Sequence, residues 1–412
     1  MKRISFLLMF LISIVSYTQT DSGDLEVYLN NIISNMPGDS GNDYTIPSNA
    51  NLTTWENCIT SLLSGDLTTA RTHADAVNYE IVLYTDTAFS PSINNYYVLK
   101  EKSSPTNYWG TYVFLQAAAS NEMVIQAPHS DHDFNTGKQA IYSFVRLQNF
   151  ALFLNGTHRC NHNQASTCSG TTSVCSGSSE AFKVSDLAHN TNSVFQKTTE
   201  VIYNTYSTSV FVQLHGFTKL ASDPYVILSN GTDQTPSGTD YALELKNALS
   251  NEDATLTFQI AHIDNWTRLV GFTNTQGRYI NQSANPCNLS ATSSTGRFVH
   301  VEQEKSKLRQ DATGWEKMHQ ALNTVFTGTV SVDDYVKIQF KTENPFQNSI
   351  EFSADGVKSF SLYSLVGKEI YSQMNTANIS GFFINTSQLP HGIYLLKVTT
   401  DKGIANKKLI RE

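Results

Sequence analysis

Two apolar runs of this chain end in histidine, and acidic residues follow the first of them. The run MVIQAPH ends at His129, and the next four residues include Asp131, His132 and Asp133. The run VFVQLHG carries His215 at the corresponding position. Buried strands of an α/β sheet present such side chains in the loops at their carboxyl ends. Three imidazole or carboxylate ligands, with one position open to water, form a catalytic zinc site.

We therefore predict one zinc ion, held by His129, Asp133 and His215. A proline restricts the turn that presents His129, and Asp133 follows at H-x-x-x-D spacing. Asp131 and His132 remain alternatives for the second ligand, because spacing alone does not resolve a short turn. A lone histidine near a strand is more often structural, so the prediction depends on the whole set of ligands.

Three further polar residues are candidates for substrate binding. Arg159 follows the apolar run FALFLN, and a guanidinium at the mouth of the sheet can hold a carboxylate or stabilise an oxyanion. The segment SDLAHN is predicted to begin a helix, which places His189 and Asn190 in its first turn, where anions are favoured. Each residue also has a structural interpretation, as a surface arginine or as capping and packing residues.

The elements around these residues predict an α/β fold. Between residues 80 and 328, short runs rich in Val, Ile, Phe and Tyr alternate with helix-like stretches. This alternation indicates a mixed, largely parallel sheet with helices on both faces. Residues 20–79 are more polar, and we interpret them as an N-terminal extension. The clearest predicted helices are residues 137–148, 186–206, 240–249 and 313–325.

The pattern changes after residue 328. Residues 329–343 are interpreted as a linker, and residues 344–412 contain short alternating strands with glycine turns, typical of a small β-sandwich. This tail resembles the C-terminal sorting domain of type IX secretion cargo in its opening Asn-Pro, its Leu-Pro-His-Gly-Ile-Tyr element at residues 389–394 and its basic end. The resemblance implies transit through the periplasm and export by the type IX machinery, followed by release or surface attachment.

The order of polar residues between about residues 124 and 309 resembles the zinc carboxypeptidase-like superfamily, including its N-formylglutamate amidohydrolase and poly-γ-glutamate hydrolase branches. A histidine and an acid precede an arginine, an Asn-bearing segment, a second strand histidine and a late glutamate. The resemblance implies a carboxypeptidase/phosphorylase-hydrolase-like fold, with Glu302 as the general base and Glu304 as the fallback on the same strand face. The chain has H-x-x-x-D where carboxypeptidases have H-x-x-E, and it lacks their Asn-Arg pair.

The composition fits an exported globular protein. A basic start and a short apolar stretch predict a signal peptide over residues 1–19, and no later segment predicts a transmembrane helix. The net charge is −8 and the basic residues form no stripe, which argues against a nucleic-acid partner. Three of the five cysteines lie within residues 160–175, at spacings that favour disulfides over a zinc knuckle. The odd cysteine count leaves at least one thiol free.

Together these features predict a secreted zinc-dependent hydrolase of an amide or peptide-like bond. Its substrate would be a small peptide-like or N-acyl compound, and zinc with Glu302 would activate the attacking water. The alternative is a non-catalytic surface binding protein on the same fold with a structural metal site, which needs no base beside an open metal position. A serine hydrolase is disfavoured because the chain has no G-x-S-x-G elbow.

Overall fold

The computed structural model describes residues 19–88, 94–116, 122–326, 339–341, 344–354, 356–364, 368–377, 379–400 and 403–412. The predicted signal peptide lies almost wholly outside these residues, as does most of the predicted linker. The chain divides into two compact units, Met1–Gly328 and Thr329–Glu412. Within the described residues, no helix is both long and apolar enough to cross a membrane.

The first unit contains alternating strands and helices. Its strands are β1 (Thr20–Gly23), β2 (Tyr79–Asp86), β3 (Asn94–Glu101), β4 (Thr111–Leu115), β5 (Met123–Ala127), β6 (Ala151–Leu154), β7 (Thr171–Thr172), β8 (Glu180–Ala181), β9 (Val210–Phe217), β10 (Val226–Ser229), β11 (Phe258–Ile260) and β12 (Phe298–Glu304). Its helices are α1 (Leu25–Ser34), α2 (Asn49–Leu63), α3 (Leu67–Ala76), α4 (Thr136–Leu147), α5 (Val194–Thr205), α6 (Tyr241–Glu252), α7 (Ala261–Asp264), α8 (Thr275–Ile280) and α9 (Ala312–Phe326).

Ten of the described strands form one mixed sheet in the order β1-β2-β3-β4-β6-β5-β9-β12-β10-β11. Its centre is parallel, because β5 pairs in parallel with β6 and β9, and β9 pairs in parallel with β12. The carboxyl ends of these four strands therefore lie at one edge of the sheet. The flanking pairs β2-β3, β3-β4, β4-β6 and β10-β12 are antiparallel.

Both faces of the sheet are buried, as the continuous apolar character of its central strands predicts. Along β5, Ile125 points into one apolar core and Val124 into the other. Helices α1, α4, α6 and α9 cover the face that contains Ile125, and α2, α3, α5 and α8 cover the face that contains Val124. The predicted α/β class, with a mixed sheet between two helical layers, is confirmed.

The N-terminal segment is part of this core, whereas its polar composition suggested an extension. Strand β1 pairs with β2, and Leu25, Leu29 and Ile33 place one apolar stripe of α1 against the sheet. On the opposite face the indole of Trp55 is fully buried and makes an edge contact with the ring of Tyr79. A few apolar residues at helical spacing attach this segment, although its average composition is hydrophilic.

One predicted helix begins later than its sequence suggests. Residues 187–189 form a single 3₁₀ turn, Asn190 is extended, and α5 begins at Val194. The N-cap is Ser193, whose side chain accepts a hydrogen bond from the backbone of Gln196. His189 and Asn190 therefore do not lie in the first turn of an α-helix.

Disulfides close the long loop between β6 and α5. Cys160 is bonded to Cys175, and Cys168 to Cys287, so the predicted preference for disulfides over a zinc knuckle is confirmed. The fifth cysteine, Cys58, is a buried free thiol. The second bond joins this loop to the segment that precedes β12.

The second unit consists of short strands, as predicted. They are β13 (Gln339–Phe340), β14 (Ser349–Ser353), β15 (Val357–Ser364), β16 (Glu369–Met374), β17 (Gly381–Asn385), β18 (Gly392–Thr400) and β19 (Gly403–Arg411). The described strands form sheets ordered β13-β14-β17 and β16-β15-β18-β19, which share one apolar core. In that core the rings of Phe352 and Phe360, one from each sheet, have centroids 5.2 Å apart. The guanidinium of Arg411 donates to backbone carbonyls, including that of Gln347 at 2.9 Å.

We expect the two disulfides to contribute unequally to stability. The Cys168–Cys287 bond spans 119 residues and the Cys160–Cys175 bond spans 15, and a longer closed loop restricts the unfolded chain more. Replacing the first pair by serine should lower the free energy of unfolding by about 5 kcal/mol, and replacing the second pair by about 3 kcal/mol. Denaturant unfolding measures both losses, with Cys58→Ala as a control for thiol removal. A larger loss for the short loop would contradict this order.

Candidate metal centre

The three predicted metal ligands lie together at the carboxyl edge of the sheet. His129 and Asp133 lie in the turn after β5, and His215 lies near the end of β9, the parallel neighbour of β5. One potential ligand atom from each residue lies within 4.8 Å of those from the other two, and all three side chains are buried. The parallel pairing brings together residues that are more than 80 positions apart in the sequence.

Hydrogen bonds within the turn hold it in place. The backbone N–H of Ser130 donates to Asn155 Oδ1 at 2.9 Å, and the Ser130 hydroxyl donates to the carbonyl of Ala127 at 2.8 Å. The backbone N–H of Asp133 donates to the carbonyl of His129 at 3.0 Å. Gly137 must be glycine here, since an added Cβ would lie 2.5 Å from the Ser130 Cβ. The turn therefore presents both ligands from a rigid support.

Arg309 joins this turn to the strand that carries the predicted base. Its Nη1 donates to the carbonyl of Phe134 at 2.8 Å, and its Nε donates to the carbonyl of Gln303 at 3.0 Å. The guanidinium passes so close to Gly216 that a Cβ there would lie 2.2 Å from the Arg309 Cζ. A larger residue directly after His215 would therefore have to displace this arginine.

The imidazole of His215 is oriented by a buried amide. Its Nε2 lies 2.7 Å from Gln213 Oε1, and Gln213 Nε2 donates to Gln126 Oε1 at 2.9 Å. Because the Gln213 oxygen is an acceptor, His215 carries its proton on Nε2. Its Nδ1 lone pair then faces Asp133 Oδ2, 3.4 Å away. Partners of this kind fix the tautomer of a metal-binding histidine.

A carboxylate orients His129 in the same way. His129 Nε2 lies 2.9 Å from Asp186 Oδ1, while His129 Nδ1 lies 3.2 Å from Asp133 Oδ2. Arg159 Nε in turn donates to Asp186 Oδ2 at 2.9 Å. Both histidines therefore direct Nδ1 toward the same carboxylate oxygen of Asp133.

In the sequence, Asp186 stands at the start of a predicted helix, and nothing there indicates that it orients His129. Its partners lie 57 residues away at His129 and 27 residues away at Arg159, so no local pattern identifies it. The 3₁₀ turn that follows Asp186 begins without the aid of this carboxylate.

Charge balance keeps the buried acids ionised. Burial alone would raise the pKa of Asp133, but His129, through its charge when protonated and its hydrogen bond, holds this pKa well below its usual range. Burial also acts to raise the pKa of Asp186, and Arg159 and His129 more than offset it. Burial lowers the pKa of His215 to about 4, with the nearby His300 acting in the same direction. At neutral pH His215 is therefore an uncharged, potential metal ligand.

The donor set fits a zinc ion. Two Nδ1 atoms and one carboxylate oxygen converge, and the other imidazole nitrogens are already hydrogen-bonded to Gln213 and Asp186. The cluster favours a cation, because it contains three carboxylates (Asp133, Asp186 and Glu302) and only two guanidinium groups (Arg159 and Arg309).

The predicted base, Glu302, lies beside His215. Glu302 on β12 is directly opposite His215 on β9 in the parallel register. Its Oε2 is buried and has no hydrogen-bond partner among the described residues. Glu304, the predicted fallback, instead accepts hydrogen bonds from the backbone and hydroxyl of Ser306 at 2.7 and 2.6 Å. Of the two glutamates, Glu302 has the uncommitted carboxylate oxygen.

The alternative ligands point elsewhere. The side chain of Asp131 is exposed, and His132 Nδ1 lies 2.9 Å from His158 Nε2 in a separate imidazole pair. Within the described residues, the group able to hold a metal contains Asp133 and neither of these two.

The predicted substrate-binding residues of the 185–190 segment make internal contacts. The ring of His189 stacks on Phe182 with centroids 3.6 Å apart, and its Nδ1 lies 3.1 Å from the carbonyl of Thr273. Burial lowers the pKa of His189 to about 3, so it is neutral at physiological pH. Asn190 Nδ2 donates to the carbonyl of Val184 at 2.7 Å.

Comparison with protein families identifies the second unit. Residues 333–412 match the secretion system C-terminal sorting domain, so the match includes part of the predicted linker. The protein is exported by type IX secretion to the cell surface or beyond. Comparison of the chain with curated protein sequences gave no match.

Comparison with solved structures gives distant likenesses. A Shewanella denitrificans protein assigned as a carboxypeptidase A is 14% identical over 52% of this chain and 60% of its own length, with a TM-score of 0.32. A Burkholderia mallei protein assigned as a carboxypeptidase is 14% identical over 52% of this chain and 59% of its own length, with a TM-score of 0.31. Zinc-free YndL is 13% identical over 52% of this chain and 88% of its own length, with a TM-score of 0.28. Scores this low carry no argument about activity.

Replacing Asp186 by asparagine should weaken metal binding. The amide retains the hydrogen bond to His129 but loses the charge, and such outer partners typically change metal affinity by about 10–100-fold. Competition with a chelating dye measures the affinity. Asp223→Asn is a matched control, because Asp223 is another buried acid paired with an arginine, at 2.8 Å from Arg268 Nη1. Equal affinities in the wild-type protein and Asp186→Asn would show that Asp186 does not support the ligand.

Deleting residues 333–412 should retain the protein in the periplasm. The deleted residues match the sorting domain, and the first unit has its own core. Immunoblots of periplasm, cell surface and medium measure the distribution. The same tail fused to an unrelated periplasmic protein should export it. Normal export of the truncated chain would contradict the role of the tail.

Proposed function

We propose that this protein is a secreted zinc-dependent hydrolase of an amide or peptide-like bond, acting on a small peptide-like or N-acyl substrate. The observation that carries the proposal is the convergence of His129 Nδ1 and His215 Nδ1 on Asp133, with the unpaired carboxylate of Glu302 beside them. A structural metal site requires the ligands but has no use for an unpaired buried carboxylate at its side.

The three ligands would hold one zinc ion. When bound, zinc supplies a Lewis acid that polarises a carbonyl and lowers the pKa of water. The protein contributes the rigid ligand turn, the fixed histidine tautomers and a largely dry setting, since His129 is only 1% exposed and His215 only 3%. Such burial strengthens each electrostatic interaction in the site.

Glu302 acts as the proton carrier in this proposal. Its Oε2 accepts a proton from the attacking water and transfers that proton to the leaving amine as the carbon–nitrogen bond breaks. The carboxylate is 7% exposed, so it is close to solvent yet shielded from bulk water. Its position opposite His215 on the adjoining strand keeps it next to the ligands without making it one of them.

Arg159 stabilises the negative charge that develops on the substrate oxygen. Its Nε and Nη2 are bound to Asp186, whereas Nη1 lies 3.4 Å from His129 Nδ1, the metal-facing nitrogen. The ion pair with Asp186 thus directs one N–H edge toward the reacting centre. His189, bound to the carbonyl of Thr273, and Asn190, bound to the carbonyl of Val184, have no substrate role in this proposal.

Changing Glu302 to glutamine should reduce turnover by about 10²–10⁴-fold, because the amide keeps the size of the side chain but cannot accept the proton. Zinc content should be unchanged and KM nearly so. Hydrolysis is measured on N-acyl amino acids, peptidoglycan peptides and poly-γ-glutamate. Glu304→Gln is the matched control and should retain most activity. Full zinc without hydrolysis of any of these by the wild-type protein would favour the binding-protein alternative.

Changing His215 to alanine should remove most of the bound zinc, because one of three ligands is lost. Zinc is measured by elemental analysis after purification. His158→Ala is the matched control, since this histidine lies in the separate imidazole pair and should leave zinc content unchanged. If His215→Ala kept its full zinc content and His158→Ala lost zinc, the result would place the metal site at the His132–His158 pair instead.

A further inference from the structure

The residues predicted to bind substrate have few hydrogen-bonding groups left for it. Two of the three groups on the Arg159 guanidinium are bound to Asp186, and His189 and Asn190 are hydrogen-bonded to backbone carbonyls. A specific substrate needs a polar partner whose hydrogen-bonding capacity is still free. Free hydrogen-bonding capacity remains at the buried polar atoms that have no partner among the described residues.

Three of these unpaired atoms lie next to the metal ligands. They are Nδ1 and Nε2 of His300 and Oε2 of Glu302. His300 is 4% exposed, and both of its ring nitrogens lack a hydrogen-bond partner in the described part of the chain. Its Nε2 lies 3.4 Å from Glu302 Oε1, but the geometry is not that of a hydrogen bond.

The fold holds the His300 ring in a slot. One neighbour is the ring of His215, with centroids 4.4 Å apart. Another is Gly271, where an added Cβ would lie 2.9 Å from the His300 Cγ. Gly271 has a φ of +66°, a conformation that favours glycine, so the loop comes this close only because no side chain is present. The slot fixes the plane of the imidazole while leaving its nitrogens unbonded.

An unpaired polar group in a buried position normally indicates a missing partner. A phenylalanine would fill a slot between a ring and a glycine without the cost of desolvating two nitrogens. His300 shares a strand face with Glu302, two residues away, so its partner lies near the reacting bond.

We propose that His300 is a substrate-binding residue that donates a hydrogen bond to an oxygen on the substrate side chain next to the scissile bond. This inference rests on the proposed hydrolase function. The preferred substrates then carry a carboxamide or carboxylate at that position, and an alkyl side chain of similar size binds less well because it leaves the imidazole unpaired. Neutral imidazole is sufficient for this contact, since it has one N–H donor.

Calorimetry with the zinc-loaded, full-length Glu302→Gln protein tests the preference without interference from turnover. The probes are N-acetyl-L-glutamine, N-acetyl-L-glutamate and N-acetyl-L-leucine, and the first two distinguish a carboxamide from a carboxylate. We expect at least one polar probe to bind about tenfold more tightly than the leucine probe, the size of one net hydrogen bond. Adding His300→Phe should abolish this difference and leave leucine affinity unchanged.

Two further measurements separate a binding role from a structural one. The melting temperature of His300→Phe should be unchanged or raised, because the substitution removes unpaired buried atoms. If the phenylalanine does not fit, His300→Leu gives the same test. His319→Phe is the matched control, because the Nδ1 of this half-buried histidine on α9 is also unpaired among the described residues, and the polar preference should persist.

The outcomes distinguish this inference from the proposed function. Equal affinities for the three probes, or a polar preference that survives His300→Phe, would overturn the role of His300 even if the wild-type protein hydrolyses them. A preference abolished by His300→Phe supports that role, and absence of hydrolysis by the wild-type protein would then count against the hydrolase alone.

Discussion

The burial of two carboxylates at one edge of a parallel sheet is the constraint on which this site depends. An isolated buried carboxylate is costly, so Asp133 and Asp186 each require partners that neutralise and hydrogen-bond them. Their partners come from β5, β9 and the loop after β6, and these elements meet only because the central strands are parallel. Neutralising the two carboxylates therefore requires the turn after β5, the disulfide-bonded loop after β6 and the parallel pairing of the central strands to be in place together.

The same arrangement explains how a small set of residues acquires different roles. Asp133 accepts contacts from two metal-facing nitrogens, whereas Asp186 orients one histidine from behind and positions Arg159. The side-chain amide of Gln213 orients the other histidine, His215. Glu302 and His300 differ from all of these because they retain unpaired atoms beside the ligands. The groups that orient the two histidines are hydrogen-bonded to them, whereas Glu302 and His300 keep buried atoms without a partner among the described residues.

Much of the fold follows from local patterns in the sequence. Runs of branched and aromatic residues predicted the central strands, and helical spacing predicted α4, α6 and α9 to within a few residues. The three residues that converge at the sheet edge were predictable as neighbours because each lies at or shortly after the end of an apolar run. Asp186 was not, since its partners are distant in sequence, and the start of α5 depends on Ser193 rather than on the more acidic position before it. The N-terminal helices were underestimated because three apolar residues on α1 suffice to attach it.

Anomalous diffraction at the zinc edge, from crystals of the exported protein grown with zinc, tests the central claim most directly. The account predicts one strong peak about 2.0–2.2 Å from His129 Nδ1, His215 Nδ1 and a carboxylate oxygen of Asp133, with a fourth position free of protein ligands. A peak between His132 and His158, coordination through Nε2 of either predicted ligand, or no peak at the sheet edge would contradict it.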